Sequence, residues 1–446
     1  MSIESFVRGY ADSGISRFHM PAHKGAPLLG GEPYDITEIK GADSLFESDG
    51  IIAESERLTA DAFGSLRTCY SAEGSSLSIK GALCAVRRLK GRPIRVAASR
   101  SCHGAFISAC ALLDIDPIWL SPDSPRRMLC ECRVSAEAVA EALDSSPQPT
   151  DAVYITSPDY LGQLADVAGI AKVCHQHGAI LIVDNAHGAY LKFLTPSRHP
   201  LDLGADLVCD SAHKTLPVYT GGGYLHISKT APEGLAELCK PSMLMFGSTS
   251  PSYLIMQSLD RCAKLLQGEL PEMIRECCRR TAGIKAIMRE RGISDISEEP
   301  MKITVAAGSC GYDGRQLAEL MRQAKMEPEY ADPYAVVLML SPYNSDRDFT
   351  RLEEFFRKLK ARGTTTQDDS DNRRLFAHRP ERAVSLREAM LSSAKAVSPD
   401  EAEGRICARA AMSCQPAVAV VMPGEIISAE SVKILKKYSI SEVYVL

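Results

Sequence analysis

The sequence predicts an α/β protein: a mostly parallel sheet covered by helices on both faces, then a smaller α/β unit and a C-terminal α+β unit. Three observations carry this. Strand-like and helix-like segments alternate from about residue 50 to residue 228. The strand-like segments, above all AILIVD at 179–184, are continuously apolar rather than alternating, as strands buried on both faces are. The chain has 446 residues, room for two or three domains at ~150 residues each.

The elements follow in order. The first thirty or so residues, with FHMPAHKGAPLLGG, are loop-rich and read as an arm (1–34). In the large domain (35–250), ESERLTADAFG predicts a helix and RTCYSA a short strand. SSLSIKGALCAVRRLK predicts a helix opened by serines, IRVAAS a strand, HGAFISACALLD a helix and DAVYITSP a strand. DVAGIAKVCHQHG is helical, AILIVD a strand, and ADLVCDSA and GGYLHIS further strands. Residues 251–292 read as a long helical connector into a small α/β domain, the two together spanning 251–362. There KITVAAG and AVVLMLSP predict strands, GRQLAELMRQAK and DFTRLEEFFRKLKA helices. Residues 363–375, polar and poor in apolar side chains, predict a flexible linker. The last unit, 376–446, holds helical SLREAM and SAESVKILKKY, strand-like AVAVVMPGE and the strand SEVYVL.

Composition narrows the function classes. With 51 Lys+Arg against 56 Asp+Glu the net charge is −5, which argues against nucleic acid or an anionic membrane as partner, since both need a basic face. No apolar run approaches the ~18 residues of a membrane span, and MSIESFVRGYADSG lacks the pattern of a secretory signal, so a cytoplasmic protein is expected. The fifteen cysteines lie in apolar or helical surroundings without framework spacing: Cys130 and Cys132 stand alone, and Cys174, His175 and His177 share one helix-like stretch. They predict free thiols, and no metal centre is expected.

In a parallel sheet, ligands bind at the carboxyl ends of the strands, and four such sites carry chemistry. Gly74-Ser75-Ser76 follows a strand and opens a helix, where backbone N–H groups and hydroxyls can hold a phosphate; the plain alternative is an N-cap. His103 follows IRVAAS, where capping is the ordinary role. Asp184 ends the buried strand AILIVD, with His187 three residues on; an Asx-turn is the ordinary reading. Lys214 follows ADLVCD, flanked by Ser211, His213 and the glycine run 221–223, and a lysine in an apolar segment is out of character for a solvated surface. A phosphate cradle, a planar imidazole, a carboxylate and an amine are together what pyridoxal 5'-phosphate requires. Lys214 would form the Schiff base, Asp184 keep the pyridine nitrogen protonated, His103 stack on the ring, and Ser75 and Ser76 hold the phosphate.

The order of these sites resembles that of the aspartate-aminotransferase-like superfamily, the fold type I transferase-like enzymes with a seven-stranded sheet. The stretches FHMPAHKG, DITEIKGADSLFESDGII, VDNAHGAYLKF, SAHKTLPVYTGGGYLHI and STSPSYLIMQSLD, with SPDEAEGRICA and PAVAVVMPGEII near the C-terminus, resemble the Orn/Lys/Arg decarboxylases from about residue 17 to about 432. The length resembles that of the family's short bacterial members. Asn185 departs from the family's usual Glu in a DEAH-like tetrad; Leu77, Ser78 and Ile79 replace a glycine- and asparagine-rich stretch. Asp43-Ser44 replaces an acidic pair, and residues 414–417 a proline-glycine run. These departures are expected to lie where a substrate side chain is read.

The resemblance implies decarboxylation of a basic amino acid (arginine, lysine or ornithine) to a polyamine precursor. It makes Lys214 and His213 candidate proton donors and Glu425 and Asp43 candidate partners of the substrate's distal cation, a solvated or structural role being the alternative for both. It also implies a homodimer or higher homo-oligomer with a shared active site, in which Ser248, Thr249 and Ser250 reach a neighbour's phosphate; an N-cap to the following helix is the plain reading of that segment. Two alternatives stay open: an aminotransferase or lyase on the same fold, although no Arg in 293–362 stands out as a grip for the α-carboxylate, and a non-catalytic cofactor-binding paralogue.

Overall fold

The structure, a computed structural model, describes residues 2–120, 122, 128–131, 133–363, 379–411 and 417–446. Cys132, the replaced stretch 414–416 and all but Gly363 of the expected linker lie outside the described residues. The chain forms two compact units: Met1–Val96 with Ser146–Ile155 and Val167–Pro271, and Ala97–Ser145 with Thr156–Asp166 and Glu272–Leu446.

Among the described residues eight strands come first: β1 (Arg67–Ser71), β2 (Val96–Ala98), β3 (Ser101–Cys102), β4 (Ile118–Trp119), β5 (Ala152–Thr156), β6 (Ile180–Asp184), β7 (Leu207–Asp210) and β8 (Gly223–Ile227). All but β3 join one sheet in the order β1-β8-β7-β6-β5-β2-β4. The β6–β7 and β2–β4 pairs are parallel, and β8 runs antiparallel to β1 and β7. This is the predicted architecture. Every residue of β6 is buried, as its unbroken run of branched side chains requires; each such side chain contributes about 1.5–3 kcal/mol. In the β6–β7 register Asp184 stands opposite Cys209, so the residues that follow the two strands emerge side by side.

The second unit contains an antiparallel sheet, β10-β11-β9, of β9 (Lys302–Ala306), β10 (Tyr330–Ala331) and β11 (Ala335–Met339), with the helices Gly314–Gln323 and Asp346–Lys358. Nearer the C-terminus lie β12 (Lys395–Val397), β13 (Ala417–Val418) and β14 (Val443–Val445); β12 pairs with β14, and β13 with β3. Val397, Cys407, Val421, Ile427, Leu435 and Val445 share one apolar core there.

Local differences from the sequence reading have local causes. The long connector is two helices, Tyr253–Leu266 and Leu270–Glu290. AVAVVMPGE keeps only two strand residues and continues through isolated bridges such as Ala411↔Val421 and Ile406↔Ile426, because Pro423 has no N–H to give and Gly424 turns at φ +90°. The N-terminal stretch holds a capped helix, Ile3–Asp12, whose Ile3 and Val7 are buried. The helix Leu235–Leu244 escapes a pattern search because it carries Pro241 inside. Among the described residues thirteen cysteines are free and all but Cys278 are buried; burial pushes the Cys69 thiol up to about 12.

Candidate active site

The ends of β6 and β7 gather most of the predicted residues within the first unit. Asp184 is fully buried; its Oδ2 accepts from the Tyr154 hydroxyl at 2.9 Å and its Oδ1 from the Ala186 N–H at 3.2 Å. Past Asp184 the chain turns through Gly188 N–H to Asn185 C=O (2.8 Å), which brings back the buried His187. Past β7, the one-turn helix Ala212–Thr215 presents Lys214. The Lys214 Nζ lies 3.1 Å from His187 Nε2, so an amine and an imidazole can exchange a proton there.

Beside them the helix Gly74–Lys90 begins. The buried Ser75 and Ser211 are bonded to each other, Ser211 Oγ donating to Ser75 Oγ at 2.8 Å and the Ser75 N–H reaching Ser211 Oγ at 3.4 Å; Ser76 is half-buried. Gly74 turns at φ +64°, and a Cβ on Gly223 would stand 2.8 Å from both the Gly74 carbonyl carbon and the Asp210 oxygen. Three backbone segments thus meet at a distance only glycine permits, leaving helix-start N–H groups and two hydroxyls that suit a phosphate dianion. His213 donates from Nδ1 to the Gly222 carbonyl at 2.8 Å; burial pushes its pKa down, with that bond in opposition.

The other candidates have different surroundings. His103, in the second unit, caps the helix Gly104–Leu113 by accepting the Ala105 N–H at Nδ1 (3.0 Å). Glu425, also in the second unit and 5 % exposed, is committed to Arg100, with Nη1–Oε1 at 2.6 Å and Nη2–Oε2 at 3.0 Å, and its Oε2 also accepts the Met422 N–H at 2.7 Å. Asp43 caps the helix Ile51–Phe63: its carboxylate accepts the N–H groups of Ser44, Asp49, Gly50, Ile52 and Ala53. Burial raises the Asp43 pKa and these bonds outweigh it, holding the carboxyl below its ordinary range. As readers of a substrate cation, then, both carboxylates meet a physical objection, since their lone pairs are already engaged. Ser248, Thr249 and Ser250 are exposed; the Ser248 N–H reaches Glu73 Oε1 at 2.6 Å, and Ser252, at the N-cap of the next helix, makes no side-chain cap bond.

Positions 77–79 and 185 are not where a side chain could be read from solvent. Leu77, Ser78 and Ile79, on the helix Gly74–Lys90, are buried against the surrounding protein, and Asn185 has no exposure at all. The Asn185 Nδ2 donates to Asp210 Oδ1 at 2.6 Å, and its backbone N–H to Cys209 C=O at 2.9 Å.

Sequence reasoning missed what lies behind this pair. Asp210 Oδ2 is 3.1 Å from His199 Nε2 and 3.3 Å from His226 Nε2, all three side chains being wholly buried. His226 Nδ1 lies 2.8 Å from Thr68 Oγ1, and Phe63 stacks on its ring at 4.3 Å. Burial alone would raise the Asp210 pKa; the two imidazoles outweigh it and hold the carboxyl well below the usual range. Among the described residues these three converge tightly enough to suit a cation. However, His199 Nδ1 accepts the Leu201 N–H (3.3 Å), so its Nε2 carries a proton toward Asp210 and hydrogen bonding accounts for that contact, whereas the buried His226 Nε2 makes no hydrogen bond among the described residues. The available signal was an Asp ending an apolar strand, the same one that marked Asp184. The Cys174-His175-x-His177 stretch does not converge: His175 pairs with Asp206 at 3.2 Å and His177 donates to Val173 C=O at 2.9 Å. No helix among the described residues is long and apolar enough to cross a membrane.

Comparison with known proteins adds independent findings. Residues 7–304 match the family model described as Orn/Lys/Arg decarboxylase, major domain. The chain is 28% identical to the uncharacterized protein YaaO of Bacillus subtilis and 26% identical to an arginine decarboxylase of the same organism, each match covering 94% of this chain and 90% of the relative. Among solved structures, the lysine decarboxylase LdcF of Francisella novicida superposes with a TM-score of 0.81 at 17% identity, over 99% of this chain and 80% of that one.

Proposed function

Because the chain belongs to the Orn/Lys/Arg decarboxylase family, and with it to the pyridoxal-phosphate-dependent amino acid decarboxylases, we propose that it removes the α-carboxylate of arginine, lysine or ornithine as carbon dioxide, leaving a polyamine precursor. The observation that carries this is the grouping of Lys214, His187, the buried Asp184 and the Ser75/Ser211 cradle at the ends of adjoining strands in one unit. These residues suit the cofactor: a glycine-lined cradle for a phosphate, a buried carboxylate for a ring nitrogen, an amine for an aldehyde. When bound, the cofactor supplies an electron sink for the bonding pair the carboxylate leaves behind.

The chain's own residues do the rest. Asp184, oriented by the Tyr154 hydroxyl, stabilises a proton on the partner nitrogen; without water around it, the carboxylate is strongest as an ion-pair partner. His187 exchanges a proton with Lys214 as the amine is engaged and released. Lys214 Nζ or His213 returns a proton to the carbon that has lost its carboxylate. The exposed Ser248, Thr249 and Ser250 reach the cofactor phosphate held by a neighbouring subunit in a cytoplasmic homodimer.

Arginine is the first substrate to offer, because relatives matching over nearly the whole chain carry that name. The test is carbon dioxide release by the purified protein with added cofactor, with arginine, lysine and ornithine in parallel. Release from one of them with the matching amine upholds the reading. Cofactor uptake without release from any overturns it in favour of the non-catalytic paralogue.

A further inference from the structure

The buried Asn185–Asp210 pair ties together the ends of the two strands that carry the reacting side chains, and it does so at a cost. Asn185 must turn its Nδ2 toward the carboxylate, because its Oδ1 at 2.6 Å from Asp210 would be repelled. That orientation leaves Asn185 Oδ1 buried and without a hydrogen-bond partner among the described residues. An unpaired buried acceptor persists only where a stronger bond compensates, here a charge-assisted one. Behind it, two imidazoles converge on the other Asp210 oxygen. In front, His187 lies two residues past Asn185 and Lys214 four past Asp210, and their side chains meet at 3.1 Å. The cross-strand bond therefore sits at the base of a short lever whose two arms end in the imidazole and the amine.

We propose that Asp210 is a positioning residue for the Lys214 amine, acting through the Asn185 side chain, with His199 holding the Asp210 carboxylate in register. The proposal rests on the reading of Lys214 as the residue that anchors the cofactor, and it adds a buried pair that touches neither cofactor nor substrate.

The test is a cycle of four proteins: wild type, Asn185→Asp, Asp210→Asn and the double exchange. The exchange keeps every heavy-atom position and restores one donor facing one acceptor. Three quantities are read: the thermal midpoint, the affinity for pyridoxal phosphate by absorbance titration, and the rate at which Lys214 is alkylated by acetaldehyde with cyanoborohydride, quantified by peptide mass spectrometry. Asn185→Asp buries two carboxylates face to face, and we expect a midpoint lowered by about 5 °C, cofactor affinity down about tenfold and a comparable change in Lys214 labelling. Asp210→Asn removes the anion from the imidazoles, with an intermediate loss. The double exchange should recover affinity and labelling to within about threefold of wild type.

A double exchange as impaired as the two single losses combined overturns the proposal. So do single variants that lower the midpoint while leaving affinity and Lys214 labelling at wild-type values, which would make the pair structural only. A stoichiometric transition metal that is lost in Asp210→Asn overturns it in favour of a metal site. If the wild type takes up no cofactor, the functional reading falls separately, and acetaldehyde labelling of Lys214 still decides the positioning role.

Discussion

Replacing Glu425 with Gln separates two roles for one carboxylate. The Glu425–Arg100 contact is bidentate, at 2.6 and 3.0 Å, with side chains 6 % and 15 % exposed. Its neutral isostere keeps the volume and one acceptor but withdraws the negative charge that the guanidinium faces. Removing one partner of a buried pair costs about 3–5 kcal/mol, and the residual exposure of Arg100 places this case near the lower end, at about 3 kcal/mol. At about 2–4 °C per kcal/mol for a unit of this size, the midpoint should fall about 6–12 °C. The companion Arg100→Met leaves the carboxylate buried and unpaired and should cost at least as much, whereas Arg100→Met with Glu425→Leu should recover most of the loss. The assay is thermal unfolding of the four proteins, with Michaelis constants for arginine and for a neutral isostere beside it. Glu425→Gln that leaves the midpoint within about 1 °C and raises KM for arginine alone would refute this reasoning and restore Glu425 as a reader of the substrate's cation.

Lys214→Ala should abolish borohydride-stable attachment of the cofactor; peptide mapping that still finds the adduct elsewhere in the chain would reject the anchor. Asp184→Asn should leave the cofactor bound but reduce turnover by two or more orders of magnitude, as kcat for the preferred amino acid will report. Asp159 is buried, with Oδ1 accepting the Gln163 N–H at 2.9 Å, and burial pushes its carboxyl up to about 7. The folded state therefore keeps a proton that the unfolded chain loses above about pH 4, so this group's contribution to stability falls as pH rises from about 4 to 7 and stays low beyond. Asp159→Asn should accordingly stabilise more at pH 8 than at pH 4, by up to about 4 kcal/mol in denaturant unfolding; equal effects at the two pH values would sink the account. Asp43→Ala leaves five N–H groups without their acceptor and should cost about 1–2 kcal/mol, with Asp43→Asn recovering part of it in the same unfolding assay.

What could be read from the sequence was what is encoded locally. The apolar run of β6 and the Gly74 helix start declare themselves within a few residues, and Asp184 and Lys214 are conspicuous because a charge closes or follows an apolar strand. Partnerships across the chain are not encoded that way. Nothing near residue 425 announces that its carboxylate meets Arg100, 325 positions earlier, nor does residue 43 reveal that it caps a helix beginning eight residues later. Asn185 stands out as a substitution by its type, yet whether it reads a substrate or anchors a strand depends on Asp210, whose nearest imidazole neighbours come from residues 199 and 226. Burial is what sequence-local reasoning lacks, and burial decides whether a polar residue faces a ligand or a neighbour.

The second unit is assembled from three separate stretches of chain, and β3 at Ser101–Cys102 pairs with β13 at Ala417–Val418. On the ribosome, residues 97–145 leave the exit tunnel long before that partner has been translated. Synthesis at about 5–20 residues per second puts tens of seconds between the two. During that interval the apolar stretch Phe106, Ile107, Ala109 and Cys110 has no completed core to enter, while the first unit already has all its segments once residue 271 has emerged. Biogenesis of this protein therefore has a built-in order, and chaperone demand should concentrate on nascent chains longer than about 270 residues and shorter than the full length.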